Sequence, residues 1–209
     1  MIGSASIKLT GNPFSTRRVR PGAIAFRFPV GQSVDSLLVR LRDQGGWGQI
    51  IGQHGSGKST LLAALLPRLK EEAAQVWLVE LREGDRRLPK RLASLRCERR
   101  PVQVVVDGYE QLSRFSRWKL KRICRRGGHG LLVTSHESVG LPHLFHVSTD
   151  RQKAIEIAKS LTEGAHRDGC PALVDCDDAV ACLEAADGNV REMLFGLYDL
   201  HEQRRRQAC

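Results

Sequence analysis

Up to residue 149, short apolar runs rich in β-branched residues alternate with longer stretches whose apolar residues recur at helical spacing. The runs are GQII (48–51), QVWLVEL (75–81), PVQVVVD (101–107), GLLVTS (130–135) and LFHVST (144–149). Between them lie STLLAALLPRLKEE (59–72), a basic stretch around LPKRLASLR (88–96), and EQLSRFSRWKLKRICRR (110–126). A continuous apolar run suits a strand buried on both faces, and helices between successive strands permit parallel crossovers. The pattern predicts an α/β fold: a mainly parallel sheet covered by helices on both sides, in three αβα layers. Pro67, inside the first helical stretch, is expected to kink or shorten it.

The flanking segments read differently. NPFSTRRVRPG (12–22) is a loop punctuated by Pro and Gly, and SVDSLLVRLRDQGG (33–46) is an amphipathic helix capped by Ser33. Beyond Asp150 the β-branched runs stop, and three helices are predicted at 151–163, about 176–186 and 190–206. The last of these aligns Val190, Met193, Leu194, Leu197 and Tyr198 on one face. The expected organisation is an N-terminal loop and helix (1–47), an α/β core (48–150) and a small helical lid (151–209).

Composition narrows the class. With 209 residues and 41% hydrophobic content, the chain can bury the core of one medium domain with a small appendage. Its 33 Lys and Arg against 23 Asp and Glu give a net charge of +10. The excess is concentrated in residues 82–126, which carry fifteen basic against five acidic side chains. That segment fits either a solvated basic surface or a nucleic-acid-binding one. Aromatic residues make up only 5%, so the composition advertises no stacking platform for single strands. Six cysteines form no CxxC pair and no Cys/His spacing typical of zinc, which favours free thiols. No apolar run reaches the length of a membrane span and no signal-peptide pattern opens the chain, so a soluble, cytoplasmic protein is expected.

Candidate chemistry concentrates in GQHGSGKST (52–60), which satisfies G-x-x-x-x-G-K-[ST] with Gly52, Gly57, Lys58 and Ser59 in the fixed places. The motif follows an apolar strand and opens an apolar-periodic helix, as a phosphate-binding loop requires. Its glycines allow backbone N–H groups to wrap a phosphate chain, and the helix N-terminus adds partial positive charge. The expected nucleotide-binding set is Gly52, Gln53, His54, Gly55, Ser56, Gly57, Lys58, Ser59 and Thr60. Lys58 would reach the outer phosphates and Ser59 would hold Mg²⁺. His54 is either a phosphate contact or a tolerated loop residue.

Asp107 ends a run of apolar residues where a carboxylate has no packing role, and it is the candidate second magnesium contact. Gly108 follows it, where many P-loop ATPases have Glu. Glu110 is therefore the nearest candidate to orient the attacking water, although it also fits as a charge favourable to the dipole of the next helix. His129, His136, His143 and His146 show no ligand spacing and read as surface and strand-end residues. The tail RRRQAC reads as a short basic end.

GQHGSGKST resembles the Walker A motif, and VVVDGYE the Walker B motif, of P-loop NTPases of the AAA+ and STAND kind. The STAND variant places a small residue after the Asp and an acidic residue further on. LLVTSH (131–136) resembles the sensor-1 strand, with Thr134 or Ser135 as its polar residue. DGNVREMLFGLYDL (187–200) resembles a sensor-2 helix with Arg191 at the phosphate-sensing place. The order of NPFSTR, helix and Walker A strand is similar to that of ExeA-like AAA ATPases. The resemblance implies ATP with Mg²⁺ as cofactors and a slow ATPase, in which Lys58, Glu110, Ser135 and Arg191 act in catalysis and Ser59 and Asp107 hold the metal. It also implies an unidentified protein partner to which a nucleotide-driven switch is coupled.

The sequence departs from the family in having no arginine between His136 and Thr149, where assembling members carry an arginine finger. Arg125 and Arg126 could serve from another direction or simply complement a helix C-terminus. Two further readings remain open: a nucleic-acid-associated ATPase of the transposition or replication-loader type, and a P-loop small-molecule kinase. No guanine-reading N/T-K-x-D motif is present.

Overall fold

The computed structural model describes residues 12–20, 22–148, 151–167 and 173–207. In chain order the elements are α1 (Thr16–Val19), α2 (Val34–Asp43), β1 (Trp47–Ile51), α3 (Lys58–Glu72), β2 (Val76–Glu80), α4 (Lys90–Ala93) and β3 (Gln103–Asp107). They continue with α5 (Arg114–Gly127), β4 (Gly130–Ser135), β5 (His143–His146), α6 (Arg151–Arg167), α7 (Cys176–Ala185) and α8 (Val190–Gln207). Two compact units result: Phe26–Ser148, and a second that joins the described residues up to Ala25 with those from Arg151 onward.

In the first unit five parallel strands form one sheet in the order β2-β3-β4-β1-β5. Successive side chains of a strand point to opposite faces, and the cores follow that alternation. Ile50, Val105 and Leu132 pack with Leu37, Leu38 and Leu41 of α2 and with Leu61, Leu65 and Leu69 of α3. On the other face Val104, Val106, Leu131 and Val133 pack with Leu92, Leu95, Leu120 and Ile123. Helices on both faces of a parallel sheet give the three-layer αβα architecture that the sequence predicts.

Three local expectations are corrected. Helix α3 is not shortened at Pro67 but runs on to Glu72. An interior proline costs about 3 kcal/mol, but Leu61, Leu62, Leu65 and Leu69 are each no more than 4% exposed. Burial at about 1.5–3 kcal/mol per leucine outweighs that cost. The stretch 110–126 is not one helix: Tyr109–Gln111 form a 3₁₀ turn, and α5 begins after Ser113, whose hydroxyl accepts the Ser116 N–H at 3.2 Å. The loop at 12–22 contains the single-turn helix α1. The Ser33 cap forms as expected, with reciprocal bonds to Ser36 of 2.9 and 3.2 Å.

Gln49 is a buried polar residue within β1, only 3% exposed, and it organises the connection that leaves β4. Its amide donates to Leu141 O at 2.6 Å and Ser138 Oγ at 3.1 Å, while its carbonyl accepts the Val139 N–H at 2.8 Å.

The second unit is helical among its described residues. Phe14, Ala154, Ala158, Leu183, Met193 and Leu197 form its core. The Asn12 amide donates to Tyr198 O at 2.9 Å and to Glu202 Oε1 at 3.0 Å. Asp178 closes a capping box with Asp175 at the start of α7 and receives Arg204 through two bonds of 2.5 and 2.8 Å. No helix among the described residues is long and apolar enough to cross a membrane.

Gln49→Leu should leave the Val139 N–H and Leu141 carbonyl without their partner and cost about 2–4 kcal/mol, read as a lower denaturation midpoint. Burial acts to raise the Asp178 pKa, but the Arg204 and Asp175 bonds outweigh it and hold the group below its ordinary value. A depressed carboxylate contributes stability above its unfolded pKa and loses it as the pH falls through the folded value. The helical unit should therefore weaken below about pH 4, and Asp178→Asn should flatten that acid limb in thermal unfolding while lowering the midpoint at pH 7.

Candidate functional site

The chain leaves β1 and turns through residues 52–57 into α3. Gly55 and Gly57 adopt left-handed backbone at φ 68° and 100°, and Gly57 is the N-cap. A Cβ at Gly52 would lie 2.6 Å from the Val147 carbonyl oxygen, so only glycine fits there. The first intrahelical bond runs from Leu61 N–H to Gly57 O at 2.9 Å. The amides of Lys58, Ser59 and Thr60 thus lie at the open, positive end of α3.

Lys58 is buried at the same end, 8% exposed, and its ammonium donates to Gly52 O at 2.6 Å and Gln53 O at 2.7 Å. Burial lowers its pKa from the ordinary lysine value, and the negative charges of Glu110 and Asp107 work against that shift. An ammonium held by oxygens at a helix N-terminus, with carboxylates close by, is suited to exchange those carbonyls for phosphate oxygens.

Asp107 ends β3, and β4 lies between β3 and β1. Thr134 of β4 donates its hydroxyl to Asp107 Oδ1 at 2.5 Å and accepts the Gly108 N–H at 2.9 Å. Of the two sensor candidates, Thr134 is the one bonded to Asp107. Ser135 points elsewhere, its hydroxyl donated to Glu137 O at 2.6 Å.

Gly108 has φ 80°, and a Cβ there would meet the Leu81 carbonyl oxygen at 2.8 Å. A side chain directly after Asp107 would be strained and would have to displace that carbonyl. The acid stands instead at Glu110, in the 3₁₀ turn and outside α5, which removes its reading as a charge in that helix's first turn. Arg117 of α5 fixes the turn by donating to Glu110 O at 2.5 Å and Leu112 O at 2.8 Å.

Glu110 Oε1 lies 3.1 Å from His136 Nε2, while Glu110 Oε2 is buried with no protein partner. A carboxylate only accepts, so Nε2 carries the imidazole proton. Burial pushes the His136 pKa down, Glu110 opposes that, and Lys58 and His54 add to it. The His54 ring of the loop rests on the His136 ring at a centroid distance of 3.6 Å. His54, His136 and Glu110, from three separate segments, therefore form one contiguous row.

Sequence reasoning missed His136, because nothing in its spacing relates it to Glu110 or His54. The only available signal was its place immediately after the strand that ends beside the phosphate loop. His129 is likewise not a surface residue: it is 1% exposed, accepts the Val102 N–H at Nδ1 (3.2 Å) and donates from Nε2 to Leu95 O (3.2 Å). Arg191 belongs to the helical unit, where it is exposed near the start of α8 and its backbone N–H is bonded to Asn189 Oδ1 at 3.0 Å. Cys97, Cys124, Cys176 and Cys182 are free thiols, and burial pushes Cys124 up to about 12. Cys170, Cys209 and the end of the basic tail lie outside the described residues.

Among the described residues no three His, Cys, Asp or Glu side chains are grouped to hold a metal ion unaided. Ser59 and Asp107 offer oxygen atoms, the donor type that hard cations take.

No protein-family model and no curated protein matches the sequence. Among solved structures the chain is similar to a Walker-type ATPase of Pyrococcus abyssi, with a TM-score of 0.55 and 13% identity over 94% of this chain and 76% of that one. The chain has the P-loop NTPase fold. PCH-2 of C. elegans is also similar, at a TM-score of 0.47 and 15% identity over 83% of this chain and 67% of that one. The P-loop, the Asp107–Thr134 pair and the Glu110–His136 pair all stand at the carboxyl ends of adjacent strands, the usual place for a ligand in an open parallel sheet.

Gly108→Ala should strain a left-handed residue and displace the Leu81 carbonyl, lowering stability by about 1–3 kcal/mol in chemical denaturation. Gly108→Glu, which supplies an acid directly after Asp107, should be at least as destabilised.

Proposed function

We propose that the protein binds ATP with Mg²⁺ and hydrolyses it slowly to ADP and phosphate, as a nucleotide-driven switch that hands its change of state to a protein partner. The observation that carries the reading is the convergence of the Lys58 ammonium, Asp107 with Thr134, and Glu110 with His136 at one end of the sheet. Gly108 followed by Glu110 favours the STAND-like arrangement within the P-loop fold. ATP rather than GTP rests on the resemblance alone.

Ser59 and Asp107 are the residues that would hold the metal, which supplies charge neutralisation on the phosphates when bound. Lys58 exchanges the Gly52 and Gln53 carbonyls for phosphate oxygens, and the amides at the start of α3 stabilise charge on the same group. Glu110 orients a water through its unpartnered Oε2. His136, neutral and donating from Nε2, fixes the carboxylate's rotation and leaves that oxygen directed to the water. Thr134 fixes the Asp107 carboxylate, which would hold the metal together with Ser59. Positioning and electrostatics carry the chemistry, since phosphoryl transfer to water asks for little else.

The test is phosphate release from Mg·ATP together with nucleotide affinity. Lys58→Ala should lose affinity. Glu110→Gln should keep affinity and lose turnover by about 100-fold or more. His136→Ala should keep affinity and lose about 10-fold in kcat with KM little changed. Tight binding without turnover in the unaltered protein would withdraw the hydrolytic role of Glu110 and leave a nucleotide-binding switch. A phosphoryl acceptor consuming ATP faster than water would make the protein a kinase.

A further inference from the structure

Helix α5 presents a face that none of the chemistry above uses. Its buried stripe, Ser116, Leu120, Ile123 and Cys124, is spent on the sheet. At 3.6 residues per turn, the exposed residues Arg114, Phe115, Trp118, Arg122, Arg125 and Arg126 fall within about a third of the helix circumference. Phe115 and Trp118 are 69% and 54% exposed, far more than an aromatic ring normally is on a surface with no ligand. Their rings stack at 5.9 Å with 27° between planes, and the Arg122 guanidinium lies 5.3 Å from the centre of the Trp118 ring. Phenyl, indole and guanidinium thus form one row of flat groups on the surface.

The surroundings are cationic. Helix α5 contains seven basic and no acidic residues. The Arg86 carbonyl accepts Ser113 N–H and Ser116 Oγ, both at 3.0 Å, so the basic loop around residues 82–87 is tied to the start of the helix. Leu92 and Leu95 share the core cluster of Leu120 and Ile123, so the exposed Lys90, Arg91 and Arg96 flank the same side of the sheet.

We infer that this face of α5 binds a single-stranded polynucleotide, with bases stacking on Phe115 and Trp118 and phosphates held by Arg114, Arg122 and Arg126. Charge complementarity selects a polyanion, and the exposed row of planar groups selects one with unpaired bases. A duplex offers no free base faces to the two rings. An anionic membrane is disfavoured because the apolar stripe is already buried, and two rings among arginines are too little apolar surface to insert. The inference is independent of ATP turnover, since none of these residues belongs to the nucleotide site.

The experiment is fluorescence anisotropy of a labelled oligothymidylate titrated with the full chain at several salt concentrations. A duplex of equal length and phosphatidylserine vesicles serve as competitors. Binding should weaken steeply with salt, Trp118→Ala should weaken it by about 5- to 100-fold, and Trp118→Phe should recover most of the loss. Arg122→Gln should lower the log–log salt slope by about 0.7. Trp118 is exposed, so Trp118→Ala should keep the unaltered protein's thermal midpoint and ATP affinity; Phe115→Ala repeats the test at the second ring. No binding, binding indifferent to both ring deletions, or more effective competition by duplex or vesicles would each overturn the inference.

Discussion

The structure of the α/β unit turns on one buried charge. An ammonium removed from water is costly unless oxygens surround it, and Lys58 is fixed by the motif at the base of α3, under the loop. The loop's own Gly52 and Gln53 carbonyls supply the oxygens. They can do so because the glycine at 52 brings the backbone against Val147 and the left-handed glycines at 55 and 57 curl it back over the lysine. The price of this arrangement is an ammonium with a depressed pKa, and a phosphate chain is the ligand that relieves it best.

The same economy of space determines where the acids stand. β3 and β1 are not neighbours; β4 lies between them, and its penultimate residue Thr134 bonds Asp107 and the Gly108 amide at once, fixing the end of β3. The tight passage past Leu81 then disfavours a side chain at 108. The next carboxylate comes from within the 3₁₀ turn that follows, at Glu110. Besides the backbone bonds of its turn, Glu110 is steadied from outside: Arg117 grips its carbonyl and His136 its carboxylate. His54 extends that support into the phosphate loop, so a change in the loop's conformation has a direct steric route through His136 to Glu110.

Much of this was legible in the chain because it is local. Continuous apolar runs placed the first four strands within a residue or two and overran the end of β5 by three, and the G-x-x-x-x-G-K-[ST] spacing located the loop, since both patterns are imposed by short-range geometry. What the sequence hid depends on distant contacts. Pro67 suggested a kinked or shortened helix, and α3 keeps its full length because the leucines that hold it act through the sheet. Glu110 looked like the opening of a helix because only Ser113, three residues later, supplies a cap with a partner. His129 and His136 carry identical sequence signals, yet one is a core residue bonded to two backbone groups and the other faces Glu110. Thr134 and Ser135 could be separated only by the alternation of β4, which sends one hydroxyl to Asp107 and the other to Glu137.

Helix α5 shows how one element can serve two surfaces without conflict. Its inner side is committed: Leu120 and Ile123 to the sheet, Arg117 to the Glu110 turn and the face of Tyr109. Composition alone could not reveal the outer side, since two exposed rings vanish in a chain-wide aromatic content of 5%. Periodicity brings them together: positions 115, 118 and 122 recur at helical spacing while Leu120 and Ile123 keep the opposite phase. A helix under no demand but packing would carry its surplus charge as mixed pairs for solubility. This one carries no acid and leaves two large rings in water, at a solvation cost that packing within the chain does not offset. A ligand that covers those rings and neutralises the arginines would offset it.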